Sequence, residues 1–218
     1  MNKGVSSLVA VVLLLVVPLL IWSWLHNDLV SKEEATYAAW AQVESNYQRR
    51  ADLIPALVET VSRYLRHESD TLTRVVGERG EGLERFQKTV DGLLAAQRES
   101  TEQMAALEGR PPADESTLEA VARAQESVGA RLRGLLALAE DYPELRSADH
   151  FLELQAQLEG TENRINVARM RFNEAVRAFN GATRRLPGNL VAAVGNFRRK
   201  AYFQAEDDAR DAAPLGLE

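Results

Sequence analysis

An uncharged stretch of 21 residues near the N-terminus, Val5 to Leu25, constrains this 218-residue chain more than any other feature. As a helix rising about 1.5 Å per residue it would span about 32 Å, close to the roughly 30 Å hydrocarbon thickness of a bilayer. Trp22 and Trp24 stand at its end, where indole rings favour the membrane interface. The sequence therefore predicts a transmembrane helix over residues 5–25, after a short tail of residues 1–4.

A cleaved signal peptide is the competing interpretation of this stretch. The apolar run is long for a signal peptide, and Trp22-Ser23-Trp24-Leu25 lacks the small residues that precede a cleavage site, so an uncleaved anchor is preferred. Lys3 precedes the span, whereas acidic residues outnumber Lys32 just after it. The positive-inside rule then favours a cytoplasmic N-terminus, with the rest of the chain on the other side.

Helical periodicity dominates after the anchor, and it is clearest between Ser147 and Thr183. Two rows of residues there recur every seven positions, namely Leu154, Thr161, Ala168 and Ala175, and Leu158, Ile165, Phe172 and Phe179. Such an a/d seam is typical of a helix packed against neighbouring helices. Ser147 is the candidate N-cap, and Pro187-Gly188 ends the helix.

Three further helices follow from the same periodicity. One is predicted over Glu115–Glu140, another near Leu83–Leu107, and a first soluble helix begins near Ser31. The inward positions are Leu118, Val121, Gln125, Val128, Leu132, Leu135 and Ala139; Leu83, Phe86, Val90, Leu93, Gln97 and Met104; and Trp40, Tyr47, Ile54, Val61, Ala51, Val58, Leu65 and Leu72. Pro55 either kinks one long helix or starts a new one, and the sequence leaves both open.

The predicted fold is therefore all-α. The N-terminal transmembrane helix is followed by an elongated, mostly antiparallel bundle of three to five helices over residues 31–184. An amphipathic C-terminal segment spans residues 185–205, and residues 206–218 form an acidic tail that is expected to be disordered.

Composition excludes several classes of site. The chain has no cysteine, so thiolate metal sites, iron–sulfur clusters and cysteine nucleophiles are ruled out. Its net charge of −6 argues against nucleic acid as a partner. None of the three histidines follows a glutamate by three residues, as a di-metal bundle site requires. The sequence therefore predicts no enzyme activity, no cofactor and no metal, and a metal-dependent enzyme is the least favoured alternative.

A polar strip runs beside the seam of the last long helix. It comprises Glu159, Glu162, Asn166, Arg169, Asn173 and Asn180, with the asparagines one heptad apart. Asparagine is a mediocre helix former, so three in register suggest a purpose. Either the strip fixes helix register or lies in solvent, which is the preferred interpretation, or it lines a groove that binds a protein or peptide.

Two other constellations stand out. Arg49, Arg50 and Asp52 are candidates for a buried ion pair with Glu159 or Glu162, or for an anion site. The second is a candidate membrane-interface segment, in which apolar and aromatic residues stand next to cations: Trp22, Trp24, Phe197, Arg198, Arg199, Lys200, Tyr202 and Phe203. The alternative is that this C-terminal part folds back over the end of the bundle.

Three stretches have a distinctive sequence: Trp40–Glu68, which contains RRADLIP; Leu135–Leu145; and Phe151–Phe203, which contains QLEGTENRI and LPGNLVA. They resemble the LemA family of bacterial membrane proteins. The resemblance implies a single-pass anchor carrying an antiparallel helical bundle in a bacterial cytoplasmic membrane, and it implies no reaction. The chain departs from the family pattern between Gly77 and Glu119, where it is longer and rich in glycine and charge.

These observations together favour a non-enzymatic scaffold or adaptor, held in the membrane, that recruits a protein partner in the cell envelope. The alternative function is a sensor-type bundle that binds a small anion near Arg49 and Arg50. Self-association of the chain is a further alternative.

Overall fold

The computed structural model describes residues 3–72, 80–140, 142, 145 and 147–204, with side chains described within 12–65 and from residue 84 onward. These ranges contain five helices: α1 (Lys3–Leu72), α2 (Gly80–Ala105), α3 (Glu115–Glu140), α4 (Asp149–Arg184) and α5 (Gly188–Val194). No strand occurs within them, and the prediction of an all-α fold is confirmed. The predicted tail 206–218 and the side chains of Leu72 and Leu83 lie outside the described residues.

Helix α1 runs without a break from the anchor into the bundle. Its 70 residues include both Pro18 and Pro55, so the second proline starts no new helix. At about 1.5 Å per residue the helix is about 105 Å long. In the described part of the chain it is the one helix apolar and long enough to cross a membrane, and its large apolar side chains between Val12 and Ile21 are exposed.

The four long helices alternate in direction. Ile54 and Val61 of α1 pack in a distal core with Phe86 of α2, Leu135 of α3 and Phe151 of α4. Trp40 of α1 packs in a proximal core, nearer the anchor, with Met104, Val121 and Phe172. The start of α2 and of α4 therefore lies at the distal end, whereas α3 starts at the proximal end. This is an up-down-up-down bundle, in which neighbouring helices are antiparallel.

The seam of α4 drifts by one position along its length. Leu154, Leu158, Ile165 and Phe172 are buried as predicted, but Val176 is buried where Ala175 had been expected. A straight helix has 3.6 residues per turn, so a strict seven-residue row drifts by about 20° per heptad. The predicted inward face of α3 is buried throughout.

Two further details of the prediction are wrong. Helix α4 begins at Asp149 with Ala148 at the N-cap position, one residue after the predicted N-cap Ser147. On α1, Ala51 and Val58 are only half-buried, and the second inward row contains Val43, Arg50 and Leu57 instead. Arg50 interrupts that row with a charge, and the pattern therefore favoured the neighbouring apolar row.

Candidate functional site

A chain of four polar side chains crosses the middle of the bundle and contacts every long helix. Arg50 of α1 donates from Nη1 to Glu162 Oε2 of α4 at 3.0 Å. Its Nη2 donates to the Gln125 backbone carbonyl of α3 at 2.8 Å and to Gln125 Oε1 at 2.5 Å. Gln125 Nε2 then donates to Ser100 Oγ of α2 at 2.7 Å. One network therefore links α4, α1, α3 and α2 in that order.

The network accounts for a guanidinium that is only 3% exposed. A buried charge is costly unless it is paired and hydrogen-bonded, and Arg50 has three acceptors on two helices. Its carboxylate partner, Glu162, remains in contact with solvent, because 45% of the Glu162 side chain is exposed. Since each link joins a different helix, sliding one helix along another would leave a buried polar atom unpaired.

Arg49 and Asp52, which the sequence grouped with Arg50, lie on the exposed surface of α1. Arg49 is exposed, and the exposed Asp52 accepts a hydrogen bond from Gln48 Nε2 at 2.7 Å. Neighbouring positions on a helix point in different directions, which separates Arg49 from Arg50. The structure therefore does not bring the side chains of Arg49 and Arg50 together.

Two of the three asparagines of the polar strip bind the C-terminal strap, which we define as residues 197–204. Asn180 Nδ2 donates to the Lys200 carbonyl at 2.8 Å, and its Oδ1 accepts from the Lys200 N–H at 3.0 Å. Asn173 makes the same pair with Phe203, with both distances 2.9 Å. Of the rest of the strip, Glu159 and Asn166 are exposed, and Glu162 and Arg169 are half-buried and line the cleft described below.

The spacing of these pairs shows that the strap is extended. Seven helical residues separate Asn173 from Asn180, which is about 10.5 Å along the axis. Lys200 and Phe203 are three residues apart, and an extended chain covers about 10 Å in three residues. Along α1, too, every three residues of the strap match seven residues of the helix. Phe197 contacts His26, Lys200 pairs with Glu33 at 2.9 Å, and Phe203 stacks on Trp40.

These contacts correct part of the membrane-interface prediction. Phe203 is 7% exposed and packs against both Trp40 and Phe172, with ring centroids 6.0 and 5.6 Å away. Lys200 is held over Tyr37 and Phe179. The end of the strap therefore folds back onto the bundle, because its aromatic ring completes the proximal core. Trp22 and Trp24 lie on the membrane-proximal part of α1, and Phe197 packs in the same cluster as Trp22. Arg198 and Arg199 are exposed.

A cleft of about 610 Å³ opens where the strap ends, between α3 and α4 with α1 as its floor. Tyr47, Arg50, Glu162 and Arg169 line it, with Tyr202, Phe203 and Gln204 of the strap at one end. Its α3 wall comprises Leu118, Glu119, Ala122, Arg123, Gln125, Glu126, Gly129 and Arg133. We call it the arginine cleft.

The floor of the arginine cleft combines a buried tyrosine hydroxyl with two arginine side chains. Tyr47 is 5% exposed, and its hydroxyl has no hydrogen-bond partner among the described residues. Burial raises the pKa of Tyr47, against the opposing effect of the guanidinium groups of Arg169 and Arg50. Arg169 itself is held over the Phe203 ring, 4.6 Å from the centroid. The site therefore fixes guanidinium groups at its base instead of leaving them free in solvent.

Sequence reasoning missed the residues of the α3 wall. Arg123 and Arg133 look like ordinary exposed charges in sequence, and only the assembly of the four long helices brings them to the cleft. Gln125 did give a signal, since it is a polar residue on an apolar seam. Within the described part of the chain, no group of three or more His, Asp or Glu residues could hold a metal ion.

The comparison with known proteins decides the family. A family model described as the LemA family matches residues 39–215. This chain belongs to the LemA family. The match covers α2 to α5, the strap and the part of α1 that forms the bundle, and the resemblance seen in the sequence is confirmed.

Among curated LemA relatives, this chain is similar to the magnetosome proteins MamQ 1 and MamQ 2 of Paramagnetospirillum magneticum strain AMB-1. Each is 27% identical over 179 residues, which is 82% of this chain and 64% of the relative. Magnetosome protein MamQ of Magnetospirillum gryphiswaldense strain MSR-1 is 26% identical over 178 residues, with the same coverage. The chain thus spans less than two thirds of the length of these relatives. With its apolar N-terminal helix and its LemA relatives, it is a membrane-associated helical protein.

Proposed function

We propose that this LemA protein is a non-enzymatic adaptor, anchored in the membrane, whose arginine cleft binds an acidic segment of a protein partner in the cell envelope. The observation that carries the proposal is the set of cations in the cleft. Arg123, Arg133 and Arg169 line it, and none of them has an ion pair with the described residues. Guanidinium groups bind carboxylates in bidentate geometry, and they remain charged at any physiological pH.

The shape of the cleft supports a peptide-sized occupant. Its volume of about 610 Å³ falls within the usual range for ligand sites. Glu119 and Glu126 also line it, so the cleft favours a segment with carboxylates at defined positions over a uniform polyanion. Arg50 takes no direct part, because its donors already bind Glu162 and Gln125. Its role is to hold the walls of the cleft in register.

The anchor sets where this partner would be found. Lys3 before the span and the acidic residues after it favour a cytoplasmic N-terminus, with the bundle on the extracytoplasmic face of a bacterial cytoplasmic membrane. Tyr47 and Arg50 lie 22 and 25 residues beyond Leu25 on the same continuous helix. Along α1 the cleft is therefore about 35 Å from the end of the apolar span. This distance suits the ectodomain or a juxtamembrane segment of another envelope protein.

Photo-cross-linking in intact membranes tests the proposal. A benzoylphenylalanine at Ala122, which lines the cleft, is compared with one at Ala137, which is exposed on the same helix outside it. We expect the Ala122 probe alone to capture a specific protein, through a fragment rich in Asp and Glu. The captured band should disappear when Arg123 and Arg133 are both changed to Ala.

Three results would contradict the proposal. Capture from both probe positions alike would indicate non-specific contact. Capture that persists in the variant lacking Arg123 and Arg133 would show that the cations are not the recognition element. Capture of residues 205–218 of the same chain would show that the cleft is filled by its own acidic tail instead of by a partner.

A further inference from the structure

A bare apolar face lies at the membrane-proximal end of the bundle. Leu186, Leu190 and Val194 expose 76%, 59% and 74% of their surfaces. Leu190 and Val194 are four residues apart, so they share one side of α5, while Val191 and Ala192 are buried on the other side. Leu186 lies two residues before this helix. Scattered apolar side chains on a surface are normal, but three exposed within nine residues indicate a contact surface.

The buried side of α5 shows where this face lies relative to the membrane. Val191 and Ala192 pack with Leu29 of α1, and Trp22, Leu25 and Phe197 surround them. These α1 residues are at the point where the uncharged span ends and Asn27 and Asp28 begin. Helix α5 is therefore held at the level of the hydrocarbon boundary, beside Trp24, which is itself 68% exposed.

Cations flank the same face. Helix α4 ends at Arg184, Arg185 follows it, and Arg198 comes after α5; all three are exposed and have no ion pair with the described residues. Two carboxylates of this part of α1 already have cationic partners, since Asp28 pairs with Lys32 and Glu33 pairs with Lys200. Apolar side chains rimmed by unpaired arginines are the composition of a surface that lies on an anionic lipid leaflet.

We propose that Leu186, Leu190 and Val194 form a foot that inserts into the bilayer carrying the anchor, with Arg184, Arg185 and Arg198 against anionic lipid headgroups. The foot is fixed to α1 and α4, so its insertion prevents the bundle from tilting freely on the anchor. It thereby fixes the height of the arginine cleft above the membrane. The proposal rests on the anchor and the apolar face, and it holds whether or not the cleft binds an acidic partner.

Site-directed spin labelling of the full chain tests the foot directly. Because the chain has no cysteine, single-cysteine variants Leu190→Cys and Val194→Cys can each carry one nitroxide. Met170→Cys is the matched control. Met170 is an apolar residue of α4 that is 59% exposed, and it lies two residues before Phe172, at the height of the proximal core. Each protein is reconstituted into vesicles of phosphatidylcholine with phosphatidylglycerol, and the accessibility of the label to oxygen and to a water-soluble nickel chelate is measured.

We expect the ratio of oxygen to nickel accessibility to be several-fold higher at positions 190 and 194 than at position 170. In phosphatidylglycerol vesicles, changing Arg184, Arg185 and Arg198 to Gln should move the two labels toward the aqueous phase. Labels at 190 and 194 that are as accessible to nickel as the label at 170 would overturn the proposal. Labels shielded from both reagents, with spin–spin broadening, would assign the face to a second copy of the chain instead.

Discussion

The side-chain amide of Asn180 pairs with both backbone groups of Lys200, donating to the carbonyl at 2.8 Å and accepting from the N–H at 3.0 Å. Asn173 repeats this pairing seven residues earlier, with Phe203. An amide side chain presents a donor and an acceptor together, as the backbone of a neighbouring strand does. Asn173 and Asn180 therefore hold the extended strap against α4, and this places the aromatic ring of Phe203 in the proximal core.

These two pairs predict that alanine substitutions at the three asparagines of the polar strip have unequal effects on stability. Asn180→Ala and Asn173→Ala should each lower the free energy of unfolding by about 1–3 kcal/mol, because each leaves backbone groups of the strap unpaired. Asn166→Ala is the matched control and should lower it by less than about 0.5 kcal/mol, since Asn166 is exposed and alanine favours a helix. Denaturant unfolding of the full chain in detergent, followed by circular dichroism, measures all three. Equal losses at the three positions would show that the strap pairs contribute nothing specific.

The polar network predicts that Arg50 cannot be replaced by lysine. A single ammonium cannot reach Glu162 and Gln125 together, so Arg50→Lys should lower the free energy of unfolding by about 1.5–3 kcal/mol. Arg49→Lys, one residue earlier and exposed, should change it by less than about 0.5 kcal/mol. The same unfolding measurement gives both values. If the two substitutions had the same effect, the network would not contribute to stability.

Removing the hydroxyl of Tyr47 is not expected to lower the free energy of unfolding. The hydroxyl is buried and has no partner among the described residues, so Tyr47→Phe removes a desolvated polar atom and leaves the ring in place. We expect the free energy of unfolding to stay unchanged or to rise by about 1 kcal/mol. A loss of more than about 1 kcal/mol would mean that the hydroxyl makes a hydrogen bond in the native protein, at the floor of the cleft.

The start of α3 predicts a pH-dependent effect. Asp114 accepts hydrogen bonds from Ser116 Oγ at 2.7 Å and from the Thr117 N–H at 2.8 Å, and these bonds lower its pKa to about 2. In the unfolded chain the pKa is about 3.9, so the stabilisation is fully present above about pH 4 and is lost as the pH falls through about 2.

Melting temperatures of the wild-type protein and Asp114→Ala test this prediction at matched pH. The wild-type protein should melt at a higher temperature near neutral pH, and the difference between the two should shrink steadily below about pH 4. Comparison at the same pH cancels the titration of the other carboxylates. A difference that stayed constant down to about pH 2 would show that the charge of Asp114 does not stabilise the helix.

The sequence was sufficient for the helices because their seams are regular. The limits of α3 were predicted to the residue, and Trp40, Tyr47, Ile54 and Val61 are all buried. Heptad spacing determines such a pattern locally, without knowledge of the partner helix. The errors occur where a polar residue occupies the seam, as Arg50 does, or where the drift of a straight helix replaces Ala175 with Val176.

The candidate site was less accessible to sequence reasoning. The asparagine spacing drew attention to α4, but nothing local shows that Asn173 and Asn180 bind residues 20 to 30 positions further along. In sequence Phe203 looks like a membrane-interface residue, and its burial depends on contacts with Trp40 and Phe172, which are distant from it in sequence. Arg123 and Arg133 define a cleft only after four helices have been packed. Long-range assembly of this kind leaves no periodic signal.

The most direct test of the adaptor function measures the binding of a charged peptide to the arginine cleft. The probe is a fluorescein-labelled ten-residue peptide of alternating Asp and Ala, and its control has Asn in place of each Asp. Fluorescence anisotropy with the full chain in nanodiscs should show that the Asp peptide binds and the Asn peptide does not. Affinity should fall at least tenfold in a variant with Arg123→Ala and Arg133→Ala, a loss of about 1.4 kcal/mol or more.

The matched control is a variant with Arg171→Ala and Arg177→Ala, which removes two exposed arginines from the outer face of α4 and has the same net charge as the cleft variant. If the cleft is the recognition site, this control binds the Asp peptide as tightly as the wild-type protein does. If both variants lose the same affinity, or if neither does, the arginine cleft is not where an acidic segment binds, and the adaptor account is wrong.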